Sequence, residues 1–242
     1  AVDKVRFIGD EVAAVAAVDE ATAIRALSLI EVDYELLPPI FDPREAYVRD
    51  DVKIHEEARK ANIERNVSLT FGDVEAGFAA ADYVREDEFF KAAATHAPLE
   101  PHSALAQFCD GKITLWTATQ VPHYVHRALA KVIGMPAEQI RVIKPALGGG
   151  FGGKGEPFPL EFAAVLLARK SGRPVKITYT REEVFLTHRG RHPMHMKLKT
   201  GVKKDGTITA LDFESLLDGG AHGSYGVVTL YYSGQLLTGP YV

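Results

Sequence analysis

Residues 148–154 read GGGFGGK, the stretch of this chain with the strongest chemical signature. Glycine lacks a Cβ atom, so a glycine-rich backbone brings its N–H groups close to a ligand. A strand-like segment precedes the loop and an apolar, helix-like segment begins at about Pro159, and N–H groups at a helix N-terminus favour an anion. We therefore expect an anionic group at this loop. The alternative is a strand-to-helix turn without a ligand, which does not require five glycines in six positions.

The same loop matches two nucleotide-binding patterns incompletely. Gly148, Gly150 and Gly153 satisfy G-x-G-x-x-G, but the position about 20 residues further on carries no carboxylate to bind a ribose. The loop also satisfies G-x-x-x-x-G-K-[ST] up to Lys154. The next residue is Gly155, so the hydroxyl that would bind Mg²⁺ is missing. A nucleotide-binding module remains an alternative on these patterns.

Other polar residues permit further interpretations. Gln120 ends the segment TATQ, and from the residues alone it could act as an N-cap that opens the next helix. One group of histidines has zinc-like spacing but no cysteine or carboxylate to complete four ligands, so no metal-ligating side chain is predicted. That group is His188, His192 and His195. A second group lies in a segment that two prolines make rigid, and we expect it to support the core: His96, Glu100 and His102.

The segments around these residues predict an α+β fold. Helical spacing of apolar residues predicts four helices, and alternation or β-rich composition predicts ten strands. The predicted helices cover residues 19–30, 73–81, 121–134 and 159–170. The predicted strands cover residues 5–9, 11–18, 31–37, 83–90, 103–109, 112–119, 139–147, 175–180, 194–202 and 207–217. Asp110-Gly111 and Lys204-Asp205-Gly206 each predict a hairpin turn.

The composition excludes several classes of protein. The net charge of −4 argues against nucleic-acid binding through overall charge, and no apolar run approaches the ~18 residues that cross a bilayer. Charged residues interrupt the first twenty positions, which are therefore not a secretory signal, and we expect a cytoplasmic protein. A single cysteine, Cys109, excludes a cysteine-ligated iron–sulfur cluster within these residues. The chain begins without Met, and we expect it to be a piece of a longer polypeptide.

Several motifs in order resemble the molybdopterin-binding large subunit of the molybdenum hydroxylase (xanthine oxidase) family. They are DKVRFIGDEVAAVAAVDEATA, IEVDYELLPP, THAPLEPHSALAQF, the stretch from TQVPHYVHRALA to GGGFGGK, and GRPVKITYTREEVFLTHRGRHP. The resemblance implies a partial hammerhead domain over residues 1–45, a linker over 46–70 and the N-terminal part of a molybdopterin-binding domain over 71–242. Within the family, residues 219–241 are most similar to the alpha subunits of 4-hydroxybenzoyl-CoA reductases.

The resemblance also implies roles for individual residues. Gln120 corresponds to a glutamine that donates a hydrogen bond to an oxygen on molybdenum, and Phe151 lies beside the metal and the substrate. The loop residues Gly149, Gly150, Gly152 and Gly153 bind the cofactor, whose dithiolene holds the metal without a protein ligand. Tyr232 is predicted to donate a proton near the substrate ring. The family's Glu after Lys is displaced here by Gly155, and its catalytic glutamate lies beyond this chain.

The implied function is that of a molybdenum-dependent oxidoreductase. The resemblance favours reductive dehydroxylation of 4-hydroxybenzoyl-CoA, and the alternative is an aldehyde- or purine-type hydroxylase. The implied cofactor is molybdenum with molybdopterin in its cytosine dinucleotide form. Electrons would pass to partner subunits that carry iron–sulfur clusters and FAD, and the remainder of the large subunit would complete the active site.

Overall fold

The computed structural model describes residues 3–58, 60–187 and 189–235. The helices are α1 (Glu20–Leu27), α2 (Pro43–Val48), α3 (Val74–Ala79), α4 (Pro122–Ile133), α5 (Pro159–Ser171), α6 (Arg181–Thr187) and α7 (Gly226–Gln235). The strands are β1 (Tyr83–Lys91), β2 (Ser103–Cys109), β3 (Lys112–Thr117), β4 (Ile140–Ile143), β5 (Val175–Thr178), β6 (Met194–Val202) and β7 (Ile208–Leu217). Helices and strands are mixed along the chain, which confirms the predicted α+β class.

The chain divides into two compact units, each made of two separate stretches of sequence. The first unit contains residues 3–35 and 95–190, and the second contains residues 36–94 and 191–235. The predicted domain boundaries at residues 45 and 70 do not follow this division, and they stay a prediction.

The first unit is built on a four-stranded sheet in the order β4-β3-β2-β5. β2 and β3 form the predicted hairpin, and β3 pairs with β4 in parallel. The turn residues Asp110 and Gly111 have φ values of 50° and 75°. Positive φ at both central residues is the requirement of a type I′ turn, which Asp-Gly satisfies.

Helices α4 and α5 cover one face of this sheet and form the core. Val125 and Leu129 of α4 and Val165 of α5 are fully buried, together with Leu115 of β3 and Ala106 of β2. Each helix begins with proline at its first position and ends at a left-handed glycine. Proline lacks an N–H group that a helix start would leave unpaired, and glycine adopts positive φ without strain, so both limits follow from the sequence.

The second unit is built on the antiparallel sheet β1-β6-β7. The predicted hairpin at residues 203–207 joins β6 to β7. Helix α3 packs closely on this sheet, since a Cβ atom on Gly77 would lie 2.5 Å from the carbonyl oxygen of Thr209. Residues 49–58 and 60–70 contain no helix or strand, but side-chain hydrogen bonds of Asp50 and Asn62 hold them in a defined loop.

Three strand predictions were wrong. Residues 5–9, 11–18 and 31–37 contain no strand, and several of their apolar side chains are largely exposed, including Val18 and Leu36. Period-two alternation indicates a face for burial, but a strand also needs a neighbouring edge with which to pair. Three helices were missed: α2, α6 and α7. No helix in the described residues is long and apolar enough to cross a membrane.

Candidate functional site

The glycine loop connects β4 to α5 through a series of tight turns. Gly153 N–H donates to the Gly150 carbonyl at 2.7 Å, and Gly155 N–H donates to the Gly152 carbonyl at 3.0 Å. The helix N-terminus expected just beyond the loop lies further along, because residues 155–158 separate Lys154 from α5. The first turn of α5 is occupied by its own Glu161, whose carboxylate accepts the N–H of Phe158 at 2.8 Å. The N-terminus of α5 therefore does not contribute to the loop as predicted.

Gln120 lies between β3 and α4 and binds the glycine loop through its side-chain carbonyl. Its Oε1 accepts the N–H groups of Gly152 and Lys154, both at 3.1 Å, and its own N–H donates to the Lys154 carbonyl at 2.8 Å. The N-cap position of α4 is occupied by Val121, so the capping interpretation of Gln120 was wrong. With Oε1 fixed by two donors, the amide group presents its Nε2 away from the loop backbone.

The loop leaves hydrogen-bond donors that the protein does not use. The N–H groups of Gly149, Gly150 and Phe151 donate to no acceptor among the described residues, and neither does the Nε2 of Gln120. Gly152 and Gly153, which were also predicted to bind the cofactor, use their N–H groups within the protein. Three consecutive free N–H groups beside a free amide nitrogen form a cradle for oxygen atoms of an anion.

Phe151 adopts a left-handed backbone conformation, with φ of 53°, and its side chain is 74% exposed. A residue with a Cβ atom is strained in this conformation by roughly 1–2 kcal/mol. The flanking glycines Gly149 and Gly152 also have positive φ. The loop thus holds an aromatic ring outward without packing it in the core.

The segment THAPLEPH contacts the loop from the opposite side. Glu100 accepts the Gly148 N–H at 2.7 Å and the Lys154 ammonium at 2.6 Å, and the ring Nε2 of His102 lies 3.2 Å from the Gly153 carbonyl. We predicted that this segment supports the core, and the structure shows that it supports the glycine loop. The proline-rich sequence indicated rigidity, but the partner of the segment could not be read from it.

Two carboxyl groups of the site have shifted pKa values. Burial alone would raise the pKa of Glu100, but the Lys154 ammonium and the Gly148 N–H outweigh it and lower the pKa. Burial raises the pKa of Glu161 to about 7, because the bonds from Thr117 and Phe158 only partly offset the loss of water. Glu100 is therefore a stable anion beside the loop, whereas Glu161 titrates near neutrality.

The remaining predicted residues lie elsewhere. Tyr232 is an exposed residue of α7, in the second unit, whereas Gln120, Phe151 and the glycines belong to the first. His188 lies outside the described residues, and so do residues 236–241 of the segment compared with reductases. Within the described ranges no group of three or more His, Cys, Asp or Glu is placed to hold a metal ion.

Comparison with known proteins decides the family. A family model described as the molybdopterin cofactor-binding domain matches residues 54–242. The chain belongs to this family. The free donors of the glycine loop fit the cofactor that gives the domain its name, and the match favours this interpretation over the two incomplete nucleotide patterns.

Relatives with a molybdopterin cofactor-binding domain are similar over nearly the whole chain. The chain is 38% identical to a probable xanthine dehydrogenase protein of Bacillus subtilis, over 99% of its own length and 32% of that protein. It is 36% identical to the nicotinate dehydrogenase large molybdopterin subunit of Eubacterium barkeri, over 99% of its length and 56% of that subunit. The chain thus spans between about a third and just over half of these relatives.

Solved structures confirm the fold. The aldehyde oxidoreductase of Desulfovibrio gigas matches 83% of this chain and 22% of its own, with a TM-score of 0.74 and 29% identity. Quinoline 2-oxidoreductase of Pseudomonas putida 86 matches 82% of this chain and 25% of its own, with a TM-score of 0.77 and 30% identity. The α+β chain therefore has the architecture of part of these enzymes.

Proposed function

We propose that this chain is the cofactor-binding part of the large subunit of a molybdenum hydroxylase that acts on a purine, an aldehyde or an N-heteroaromatic compound. The relatives and the structural neighbours are named for xanthine, nicotinate, aldehyde and quinoline. These names favour the hydroxylase alternative over reductive dehydroxylation of 4-hydroxybenzoyl-CoA, which the sequence alone had favoured.

The observation that carries the proposal is the arrangement of donors around Gln120. Its Oε1 is held by two loop N–H groups, so its Nε2 is free to donate to a bound group. The N–H groups of Gly149, Gly150 and Phe151 are the donors for anionic oxygens of the cofactor. Donors fixed by the fold need little rearrangement when the ligand binds.

When bound, the molybdenum–pterin cofactor supplies the two-electron redox chemistry of the reaction. The residues of this chain orient it and shape the space beside it. Gln120 donates from Nε2, while Gly152 and Gly153 keep the loop closely folded. Phe151 offers an exposed ring face against which a planar substrate stacks. Tyr232 stays a proposed proton donor.

Electrons must leave this chain for another protein. Its single cysteine cannot ligate an iron–sulfur cluster by itself. We propose partner subunits with iron–sulfur clusters and FAD, the remainder of the large subunit, and the cytosine dinucleotide form of the pterin. The nicotinate dehydrogenase relative is itself named as one subunit among several.

The test is analysis of the full-length large subunit purified with its natural partners. We expect about one molybdenum and one pterin per large subunit, and turnover of xanthine, nicotinate or an aromatic aldehyde with an artificial electron acceptor. A complex without molybdenum would overturn the proposal. A loaded complex that reduces 4-hydroxybenzoyl-CoA and leaves the other compounds unchanged would return the assignment to the reductase.

A further inference from the structure

Glu100 contacts both ends of the glycine loop. Its backbone N–H donates to the Gly148 carbonyl at 3.1 Å, and its Oε2 accepts the Gly148 N–H at 2.7 Å. Its Oε1 accepts the Lys154 ammonium at 2.6 Å. One side chain therefore joins the first residue of the loop to the residue that follows its last glycine.

The contact at Gly148 is close enough to transmit a displacement. A Cβ atom on Gly148 would lie 2.7 Å from the Cβ of Glu100, so only glycine allows the two backbones to approach this far. Pro98 and Pro101 restrict the segment on either side of Glu100. The start of the loop is thus fixed to a rigid support.

Lys154 carries the effect of Glu100 to the other end of the loop. Its side chain is 0% exposed, and in the part of the chain that the structure describes Glu100 is its ion-pair partner. A buried ammonium without a partner is strongly unfavourable, so the position of Lys154 depends on Glu100. The backbone N–H and carbonyl of Lys154 are the groups that bind Gln120.

We propose that Glu100 is a positioning residue, which through the buried ammonium of Lys154 sets the direction of the Gln120 amide and the path of the glycine loop. The inference rests on the proposed function for its consequence in turnover. Its structural part, that Glu100 holds the loop and the Gln120 amide in place, does not depend on the bound cofactor.

The first measurement is hydrogen–deuterium exchange on the full-length large subunit, with or without bound cofactor. In Glu100→Gln we expect the amides of Gly152 and Lys154, which donate to Gln120, to exchange at least about tenfold faster. Protection in the rest of the first unit should stay within about twofold. Unchanged exchange of the loop peptide would overturn the inference, and this outcome is independent of molybdenum content.

The second measurement is steady-state kinetics of the assembled enzyme. A misdirected Gln120 amide should lower kcat about 10- to 100-fold, the loss expected for one hydrogen bond to a charged group, and change KM less than about threefold. Glu88→Gln is the matched control, since it removes an exposed Lys–Glu pair, with Lys197, on the sheet of the second unit. It should leave kcat unchanged.

The double variant Glu100→Gln with Lys154→Met separates positioning from stability. It removes both charges, so no buried ion is left unpaired, and the thermal midpoint should recover relative to Glu100→Gln. Because the tether between the loop ends is still absent, kcat should stay low. Recovery of kcat together with the midpoint would overturn the inference. A wild-type complex without molybdenum would refute the proposed function, while the exchange data would still decide the role of Glu100.

Discussion

Phe151 combines two unfavourable features, a left-handed backbone and a large apolar side chain exposed to solvent. Neither is offset by packing in the core. Strained residues that persist in this way are concentrated where a ligand binds. Its place between free loop donors, beside Gln120, gives the ring a use only when the cradle is filled.

Replacing Phe151 by glycine should therefore separate stability from substrate binding. Glycine removes the strain of positive φ, so the thermal midpoint of the large subunit should stay equal or rise, by an amount equivalent to about 1 kcal/mol. KM for an aromatic substrate should rise about two- to tenfold as a ring contact is lost. The two quantities are measured by thermal unfolding and initial rates.

Phe71→Gly serves as the comparison for Phe151→Gly. Phe71 is also an exposed phenylalanine, but its φ is not positive, so glycine there should lower the midpoint slightly and leave KM unchanged. A Phe151→Gly enzyme with a lower midpoint and an unaltered KM would assign the ring a structural role.

At the scale of elements, the joint between β3 and α5 contains a buried carboxyl group. Glu161 is 3% exposed and its Oε1 accepts the hydroxyl of Thr117 at 2.7 Å. Its pKa is about 7 in the folded chain, against an ordinary value of 4.5. Between these two values the folded protein binds more protons than the unfolded one. The stabilising contribution is therefore complete below about pH 4.5 and is lost as pH rises through about 7.

We expect Glu161→Gln to abolish this pH dependence, because glutamine stays neutral. The midpoints of wild type and variant should be similar near pH 5. Near pH 8.5 the wild type should be the less stable, by on the order of 3 kcal/mol. Thermal unfolding across this range gives the difference, and Glu138→Gln, at an exposed carboxyl, controls for surface charge. Parallel curves for wild type and Glu161→Gln would contradict the prediction.

Local signals accounted for the elements that the sequence predicted well. Asp110-Gly111 fixed a hairpin because few dipeptides accept two positive φ values, and Gly134 and Gly172 marked helix ends for the same reason. Residues 5–18 failed because alternation carries no information about a partner strand. Helix α7 was hidden by glycine, which weakens every helical pattern.

The site was predictable only in its outline. GGGFGGK and Gln120 were found from their types, and the structure brings them together through hydrogen bonds to Gln120. Lys154 was considered only as a nucleotide-binding residue, although its side chain is buried against Glu100. A lysine that is fully buried by a distant glutamate leaves no pattern within a single segment. Pairing of this kind depends on tertiary contacts, which spacing along one chain does not encode.

At the scale of the whole molecule, the surface is unusually apolar for a folded chain. Several aliphatic and aromatic side chains are more than four-fifths exposed: Ile8, Val18, Leu36, Phe41 and Leu99. Exposed apolar groups of this size are typical of surfaces that contact other protein. The relatives are about two to three times longer than the part matched here, which gives such contacts a source.

We therefore expect residues 1–242, produced alone, to associate and to show no turnover with xanthine, nicotinate or an aldehyde. Sedimentation velocity should reveal oligomers, and binding of a hydrophobic dye should be stronger per molecule than for the full-length large subunit. The double substitution Val18→Lys and Leu36→Lys should reduce both effects. A monomeric, dye-free or catalytically active piece would contradict this expectation.

The interleaving of the two compact units has a consequence for synthesis on the ribosome. Strand β1 pairs with β6, with Tyr83 opposite Val202, so its partner emerges roughly 100 residues later. At 5–20 residues per second this delay is on the order of 5–20 s, during which β1 exposes an unpaired edge. The first unit has a similar delay, since residues 3–35 precede its sheet by the whole first stretch of the second unit. A nascent chain arrested at residue 190 should therefore bind holdase chaperones, and one released beyond residue 217 should bind them less.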